Sequence, residues 1–221
     1  MQNRLNYIPL SRAYNLIEDC DIVLFRRPTS FLSVGWWIGL YTGSLFSHVA
    51  LAFKENGVNK VIEFREFKGC RTKDLSEYIN QGAVIDIYRL PKSITIPYTI
   101  VPPTSEDGKK KPITDSVALT FNDRVKKVIL DEARSFIGQS YGYINIFRIF
   151  LALFPFIRFF YTKNDLNRRP KNFVCSTLVA FAIRRHWLDL NPTINDSLVS
   201  PSDISNASTG ALNYQFSITE L

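Results

Sequence analysis

The chain has 221 residues, which is enough for one domain with a sizeable core and too few for two comfortable domains. Its composition, with 46% hydrophobic and 21% charged residues, is typical of a globular protein, and three cysteines exclude a disulfide scaffold. The net charge of +7 favours an anionic partner such as nucleic acid, acidic lipid headgroups or a bacterial envelope polymer, unless the excess is spread thinly over the surface.

Cys20, Cys70 and Cys175 form no CxxC motif and no spacing typical of a metal site. Only two histidines are present, so a zinc site would also need carboxylates, and we predict no metal and no other cofactor. The first 20 residues contain no apolar h-region and no small-residue cleavage site. We therefore predict no signal peptide and expect a cytoplasmic or virion-associated protein.

The first part of the chain alternates short apolar runs with turns. Residues 1–18 are polar and weakly helical, and residues 33–41 read as helix or loop. Asn56-Gly57 separates two apolar runs and is a strong signal for a two-residue hairpin turn. Residues 74–80 read as a short helix that Thr72 or Asp74 opens. The predicted strands are 21–25, 48–53, 60–65 and 83–89.

The second part begins with a Pro/Lys-rich segment, at about 91–115, which we predict to be a long exposed loop inserted into the domain. Residues 121–137 have helical periodicity, and Gly138 is placed to end that helix. A second helix is predicted over 173–187. Helices and antiparallel strands are mixed without a βαβ rhythm or a repeat, so we expect a single α+β domain spanning 1–221.

The most apolar stretch of the chain is 144–161. Arg148, Pro155 and Arg158 interrupt it, whereas a membrane-spanning helix needs about 20 consecutive apolar residues. Two interpretations remain open. The stretch is a buried helix kinked at Pro155, or it is an amphipathic surface that contacts a membrane, a partner protein or an acyl substrate.

Cys175 lies in the first turn of the predicted helix 173–187. A helix N-terminus presents free backbone N–H groups and a positive dipole, and both lower the pKa of a thiol from about 8.5. The same N–H groups could stabilise an oxyanion. The alternative is that Cys175 is a small buried apolar residue without chemistry.

His48 and Glu63 lie on the two predicted strands that flank the Asn56-Gly57 turn. A two-residue turn pairs Glu55 with Val58, and counting back along both strands makes Glu63 a diagonal neighbour of His48. A three-residue loop would break this arrangement. The alternative is a surface hairpin with an exposed Glu63. The residues expected on one face are His48, Ala50, Glu63 and Arg65.

Five motifs in order resemble the permuted papain-like enzymes of the NlpC superfamily, and within it the YiiX-like group, which is related to lecithin-retinol-acyltransferase-like proteins. The motifs are Asp21-Ile-Val, Ser47-His-Val-Ala-Leu, Val61-Ile-Glu, Gly138-Gln-Ser-Tyr-Gly-Tyr143 and Phe173-Val-Cys-Ser-Thr-Leu-Val179, and Ser200-Pro-Ser-Asp-Ile204 adds to them. The resemblance implies a permuted papain-like fold in which an antiparallel sheet packs against the nucleophile helix.

The same resemblance implies a role for each site residue. Cys175 would be the nucleophile, His48 the base, Glu63 the residue that orients the imidazole, and Tyr141 an oxyanion or substrate contact. The sequence departs from the family at two places. Cys20 stands where a glycine usually precedes the aspartate, and Gly142 stands where an acidic residue often follows the tyrosine.

These motifs predict a thiol hydrolase that cleaves amide bonds through a covalent acyl-enzyme, with peptidoglycan stem peptides as the preferred substrate. Two alternatives stay open: an acyl hydrolase or acyltransferase acting on lipid esters or amides, and a non-catalytic structural or virion component. The expected partner is thus a peptide-like or acyl substrate, with a peripheral membrane or protein contact through 144–161, and nucleic acid is not expected.

Overall fold

The computed structural model describes residues 6–28, 40, 43–100, 113–143, 173–192, 194–206 and 212–219. The apolar stretch 144–161, the centre of the Pro/Lys-rich segment and most of 33–41 lie outside these residues. Elements are numbered in chain order over the described residues.

A large sheet organises the described part of the chain. Its strand order is β1-β9-β6-β2-β3-β4-β5, and the neighbouring strands are antiparallel except β1 and β9. A separate two-stranded sheet pairs β7 with β8. The strands are β1 (Tyr7–Ile8), β2 (Ile22–Arg26), β3 (Phe46–Glu55), β4 (Val58–Arg65), β5 (Gly69–Asp74), β6 (Ile85–Arg89), β7 (Ser93–Ile100), β8 (Ile113–Thr120) and β9 (Asn213–Ile218).

The helices confirm the three that the sequence predicts, with shorter bounds. Asn122 caps the second of them, because its side chain accepts a hydrogen bond from the Val125 N–H. Gly138 has a φ of +87°, but it lies beyond the C-cap Ser135 rather than at it. The helices are α1 (Leu10–Ala13), α2 (Leu75–Ile79), α3 (Asp123–Arg134), α4 (Cys175–His186) and α5 (Pro201–Ser205), with a 3-10 turn at Asp196–Leu198.

Helices cover both faces of the large sheet. One face packs against α3 and α4 through alternate residues of the central strands, including Ile22 and Leu24. The other face packs against α1 and α2 through the intervening residues, including Val23 and Phe25. Because both faces are buried, residues 22–25 of β2 and 49–53 of β3 are apolar at successive positions rather than at alternate ones. The mixed architecture and mostly antiparallel sheet confirm the α+β class.

The hairpin between β3 and β4 has the predicted register. Asn56 and Gly57 have φ values of 52° and 77°. A type I′ turn, the common two-residue hairpin turn, requires a positive φ at both of its central residues. Glu55 pairs with Val58, and the ladder continues to Leu51 and Ile62. A locally encoded turn therefore fixes the register of the two strands from Glu55 opposite Val58 to Leu51 opposite Ile62.

The expectation of irregular structure across 91–115 is wrong at both ends of that segment. Strand β7 pairs with β8 from Ser93 opposite Thr120 to Ile100 opposite Ile113. The sequence of β7, Ser-Ile-Thr-Ile-Pro-Tyr-Thr-Ile, is rich in β-branched residues, which favour a strand. Its proline is tolerated because both strands of a two-stranded ribbon are edge strands.

Candidate active site

His48 lies where the pairing of β3 becomes irregular. Phe25 pairs with His48 and Arg26 pairs with Phe46, so Ser47 is an extra residue that bulges from β3. A bulge changes which side chains point to each face of a sheet and re-aims its neighbours. The His48 ring is 3% exposed and packs against Phe25, with 5.1 Å between ring centroids. Local backbone irregularity and aromatic packing together hold the imidazole in one orientation.

Glu63 binds the imidazole from the neighbouring strand. Its Oε2 lies 2.6 Å from Nε2 of His48, and its carboxylate is completely buried. This contact confirms the predicted diagonal pairing and makes the alternative of an exposed Glu63 wrong. Because Nε2 is engaged by Glu63, Nδ1 is the nitrogen that remains for another partner.

Two further groups hold the other oxygen of Glu63. Arg71, its direct partner on β5, donates from Nε to Oε1 at 3.0 Å. The hydroxyl of Tyr78 on α2 donates a short hydrogen bond to the same oxygen. Arg71 also donates to the Tyr78 hydroxyl at 3.2 Å. The carboxylate is therefore fixed from three sides, and its orientation is set before any substrate binds.

The pKa values of His48 and Glu63 move apart as an ion pair requires. Burial alone would lower the pKa of His48, but the charge of Cys175 and hydrogen bonds to Cys175 and Glu63 raise it to about 9. Burial would raise the pKa of Glu63, but the hydrogen bond and charge of His48, together with Tyr78, lower it to about 2. The pair is thus imidazolium and carboxylate at neutral pH.

Cys175 is the second partner of the imidazole, since it raises the pKa of His48 through both a hydrogen bond and its charge. It is the first residue of α4, and Val174 before it makes no side-chain cap. Val174 therefore supplies no side-chain acceptor for the backbone N–H groups of the first turn, which lie beside the sulfur. Helix α4 packs against β3 and β4, the two strands that carry His48 and Glu63.

Tyr141 lies beside the thiol on a tightly held loop. Burial raises the pKa of its phenol, and the negative charge of Cys175 raises it further. The N–H of Gly142 donates to the carbonyl of Phe173 at 2.8 Å, which ties the loop to the start of α4. The four residues predicted to form the site, His48, Glu63, Tyr141 and Cys175, are therefore brought together.

The two other cysteines occupy different surroundings. Cys70 is buried, and burial with the charge of Glu63 raises the pKa of its thiol to about 12. Burial also raises the pKa of Cys20 well above its usual range, and its thiol donates to the carbonyl of Lys126 at 3.3 Å. Cys20 has a φ of +67°, which gives a physical reason for glycine to be common at this position in the family that the sequence resembles.

Arg71 and Tyr78 are the site residues that sequence reasoning missed. Residues 69–74 carry little apolar periodicity and were not predicted as a strand. Without a predicted strand, no residue of the neighbouring strand could be assigned as the partner of Arg71. Tyr78 lies within the predicted helix 74–80, but only the packing of α2 on β4 and β5 brings its hydroxyl to Glu63. A basic residue across from a buried acid in a three-stranded meander was the one signal that could have found Arg71.

His186 stays apart from this site. It is the last residue of α4, and its Nε2 lies 3.4 Å from Oε2 of Glu132 on α3. The three turns of helix between Cys175 and His186 separate the two side chains. His186 therefore contributes to the contact between α3 and α4.

The side chains at the site offer few ligands for a metal ion. Because Glu63 binds Nε2 of His48, the atoms of His48 and Cys175 that could still ligate a metal ion are Nδ1 and the sulfur. Within the described ranges, no group of three or more His, Cys, Asp or Glu residues is placed to hold a metal ion. In the same part of the chain, no helix combines the length and hydropathy needed to cross a bilayer.

Fold and site together define an α+β domain in which a buried thiol, imidazole and carboxylate are joined in series. No protein-family model matches the chain, and no curated protein matches its sequence. Among solved structures, the fold is similar to that of the metalloprotein YiiX from Escherichia coli O157:H7, DUF1105, with a TM-score of 0.52 over 90% of this chain and 96% of that chain. The sequence identity is 16%, so this likeness concerns the fold alone. The fold is YiiX-like, as the sequence motifs predict.

Proposed function

We propose that this protein is a permuted papain-like thiol hydrolase that cleaves an amide bond through a covalent acyl-enzyme. One observation carries the proposal: Cys175, at the uncapped start of α4, interacts with His48, and the far nitrogen of His48 is bound by the fully buried Glu63. A nucleophile, a base and an orienting group in series are the minimum for covalent acyl transfer.

The first half of the proposed reaction forms the acyl-enzyme. In the proposed resting state His48 is imidazolium and already carries the proton of the Cys175 thiol on Nδ1, and the thiolate attacks the substrate carbonyl carbon to form a C–S bond. First-turn N–H groups of α4 stabilise the negative charge that develops on the carbonyl oxygen. The C–N bond then breaks, and the imidazolium gives its proton to the departing amine.

The second half releases the acid. His48, now neutral, removes a proton from a water molecule that attacks the thioester carbon. The C–S bond breaks and the sulfur leaves as a thiolate beside the imidazolium, which restores the starting pair. Glu63 keeps Nε2 protonated and the ring oriented throughout, and no step of this proposal uses a metal ion.

Peptide-like amides, with peptidoglycan stem peptides first among them, are the proposed substrates, since the net charge of +7 suits an anionic polymer. The second candidate is a lipid-directed acyl hydrolase or acyltransferase. The exposed aromatic side chain of Phe67, close in sequence to Glu63, favours this candidate because an acyl chain needs an apolar surface. A non-catalytic component would need no such series of Cys, His and Glu.

The decisive experiment compares purified protein with its Cys175→Ala variant on bacterial cell-wall sacculi and on phospholipid vesicles side by side. We expect turnover of one substrate by the wild type and none by the variant, with an acyl adduct on Cys175 trapped by acid quenching and found by mass spectrometry. Equal product from both proteins would contradict a role for Cys175.

A matched chemical test needs no substrate. Iodoacetamide should label Cys175 at least about a hundredfold faster than Cys20 or Cys70 in the folded protein, because the thiolate is the reactive form and burial keeps the other two protonated. Peptide mapping after partial labelling measures the three rates. Faster modification of either Cys20 or Cys70 would overturn the assignment of the nucleophile.

A further inference from the structure

Phe67 is an unusual residue in the turn between β4 and β5. Its side chain is 85% exposed, and its φ of +60° puts a bulky residue in the left-handed region. That conformation is rare for residues other than Gly, Asn and Asp. Because the ring is exposed, no packing in the core offsets the free-energy cost of this backbone conformation. The local fold by itself therefore does not account for a phenylalanine here.

Tyr143 holds Phe67 in place. The Phe67 N–H donates to the Tyr143 hydroxyl at 2.8 Å, and the two ring centroids are 5.8 Å apart. Tyr143 is itself exposed over about half of its surface. The hydrogen bond fixes the turn against the Tyr141 loop, and the two rings lie side by side with their outer parts in solvent.

The pair continues inward to the thiol. The Tyr143 ring lies 5.2 Å from the ring of Tyr141, which is buried and close enough to Cys175 to respond to its charge. Three aromatic rings thus run in series from solvent to the candidate nucleophile. The backbone at Gly69, where β5 begins after the turn, packs directly against the backbone of Gln139, because a Cβ added at Gly69 would overlap the carbonyl oxygen of Gln139.

We propose that Phe67 and Tyr143 are the binding surface for an apolar group of the substrate, attached next to the carbonyl that Cys175 attacks. This inference rests on the thiol chemistry of the proposed function and adds the substrate class to it. An apolar group laid on two exposed rings removes hydrophobic surface from water and contacts their faces or edges, whereas a small polar group gains neither. An apolar side chain and an acyl chain share this chemistry.

The test uses three alkylating reagents with one reactive group: iodoacetamide, N-benzyl iodoacetamide and N-hexyl iodoacetamide. Second-order rates at Cys175 are measured by peptide mapping for the wild type and for Phe67→Asn. Asparagine tolerates the left-handed backbone, so this change removes the ring and preserves the turn. Val128→Asn also replaces an exposed apolar residue by asparagine, in α3, and is the matched control.

We expect the benzyl or hexyl reagent to exceed iodoacetamide by about three- to tenfold in the wild type and in Val128→Asn. In Phe67→Asn this advantage, measured against the iodoacetamide rate of the same variant, should disappear. A preference for benzyl would identify an aromatic side chain as the group, and a preference for hexyl would identify an acyl chain. Both support the inference.

Two outcomes would overturn it, and they are distinguishable. If the apolar reagents keep the same advantage in Phe67→Asn, or have none in the wild type, Phe67 and Tyr143 are not the binding surface, although Cys175 remains a reactive thiol. If iodoacetamide itself does not select Cys175, the proposed function fails and the inference fails with it.

Discussion

Two buried carboxylates, Glu63 and Asp21, lie in different parts of the same domain, and each is bound by an arginine from a neighbouring strand. Arg71 holds Glu63, and Arg89 holds Asp21 with two bonds of 2.7 and 2.8 Å. Yet the pKa of Glu63 falls to about 2, whereas burial raises the pKa of Asp21 above its usual value in spite of Arg89.

The difference lies in the other partners. Asp21 receives a backbone N–H from Glu18 and anchors the segment before β2. Glu63 also binds His48 and Tyr78, and the imidazole in turn interacts with a thiol. A buried carboxylate–arginine pair is therefore not by itself a sign of chemistry. What distinguishes the Glu63 region is the connection from the carboxylate through an imidazole to Cys175, and the predictions below test that distinction.

The largest expected effect is on the charge of His48. Glu63→Gln removes the negative charge that stabilises the imidazolium, so the pKa of His48 should fall from about 9 by at least about one unit. The chain has two histidines, so an NMR titration of the imidazole carbons resolves both, and His186→Gln assigns them.

Asp21→Asn is the matched control for that titration. It makes the same carboxylate-to-amide change at a buried site that does not contact His48, so the midpoint of His48 should stay where it is in the wild type. An equal shift in both variants would mean that the two regions are not electrostatically distinct, and it would remove the special status of Glu63.

Lowering the pH should change the contributions of the two carboxylates to stability in opposite directions. The folded-state pKa of Glu63 lies below its ordinary value of 4.5, so its contribution to stability is present above about pH 4.5 and is lost as the pH falls towards 2. Asp21 has a raised folded-state pKa, so lowering the pH through that pKa favours its folded form. The stability gap between wild type and Glu63→Gln should therefore shrink by roughly 2–3 kcal/mol on acidification.

Urea unfolding at pH 6 and pH 3 measures this gap. The corresponding gap for Asp21→Asn should change in the opposite direction, in favour of the wild type at the lower pH. If the difference in free energy of unfolding between wild type and Glu63→Gln is the same at both pH values, the partners of Glu63 do not lower its pKa in the folded protein.

A smaller effect is expected at Gly69, which supports the Tyr141 loop. Its φ of +69° disfavours any side chain, and an added Cβ would also overlap the carbonyl oxygen of Gln139. Gly82 has a similar φ of +78° with no atom within 4 Å of an added Cβ. We expect Gly82→Ala to cost about 1 kcal/mol and Gly69→Ala about 1–3 kcal/mol more.

Urea unfolding of both variants isolates the steric part, because the backbone cost is common to them. Gly69→Ala should also slow the alkylation of Cys175, since the loop that carries Tyr141 must shift away. Equal stabilities for the two variants would mean that the turn and the loop adjust independently of each other.

The smallest effect is expected at Cys20, near Asp21. Cys20→Gly relieves a left-handed side-chain conformation but loses a buried thiol and its hydrogen bond to Lys126, so its stability should change by less than about 1 kcal/mol. Cys20→Ala loses the same thiol without the relief and should be the less stable of the two. A more stable alanine variant would show that the backbone at Cys20 is not strained.

The sequence alone determined those parts of the fold that depend on local patterns. The Asn56-Gly57 turn set the register of β3 on β4, and this register is enough to place Glu63 beside His48. Helices α2, α3 and α4 were likewise visible, because periodicity and caps are properties of neighbouring residues. Strands β5, β8 and β9 were missed, since their apolar patterns are weak and their pairing depends on distant partners. Strand β7 was missed although its residues favour a strand, because it lies in a segment rich in proline and lysine.

Only the tertiary structure decided what surrounds the candidate triad. The approach of Cys175 to His48 joins residues 127 positions apart in the chain, and no local pattern encodes that distance. The same holds for Arg71 and Tyr78, which reach Glu63 because β5 and α2 pack beside it. Complete burial of Glu63 and the opposed pKa values of Glu63 and His48 arise from that packing, because desolvation and charge act through space and not along the chain.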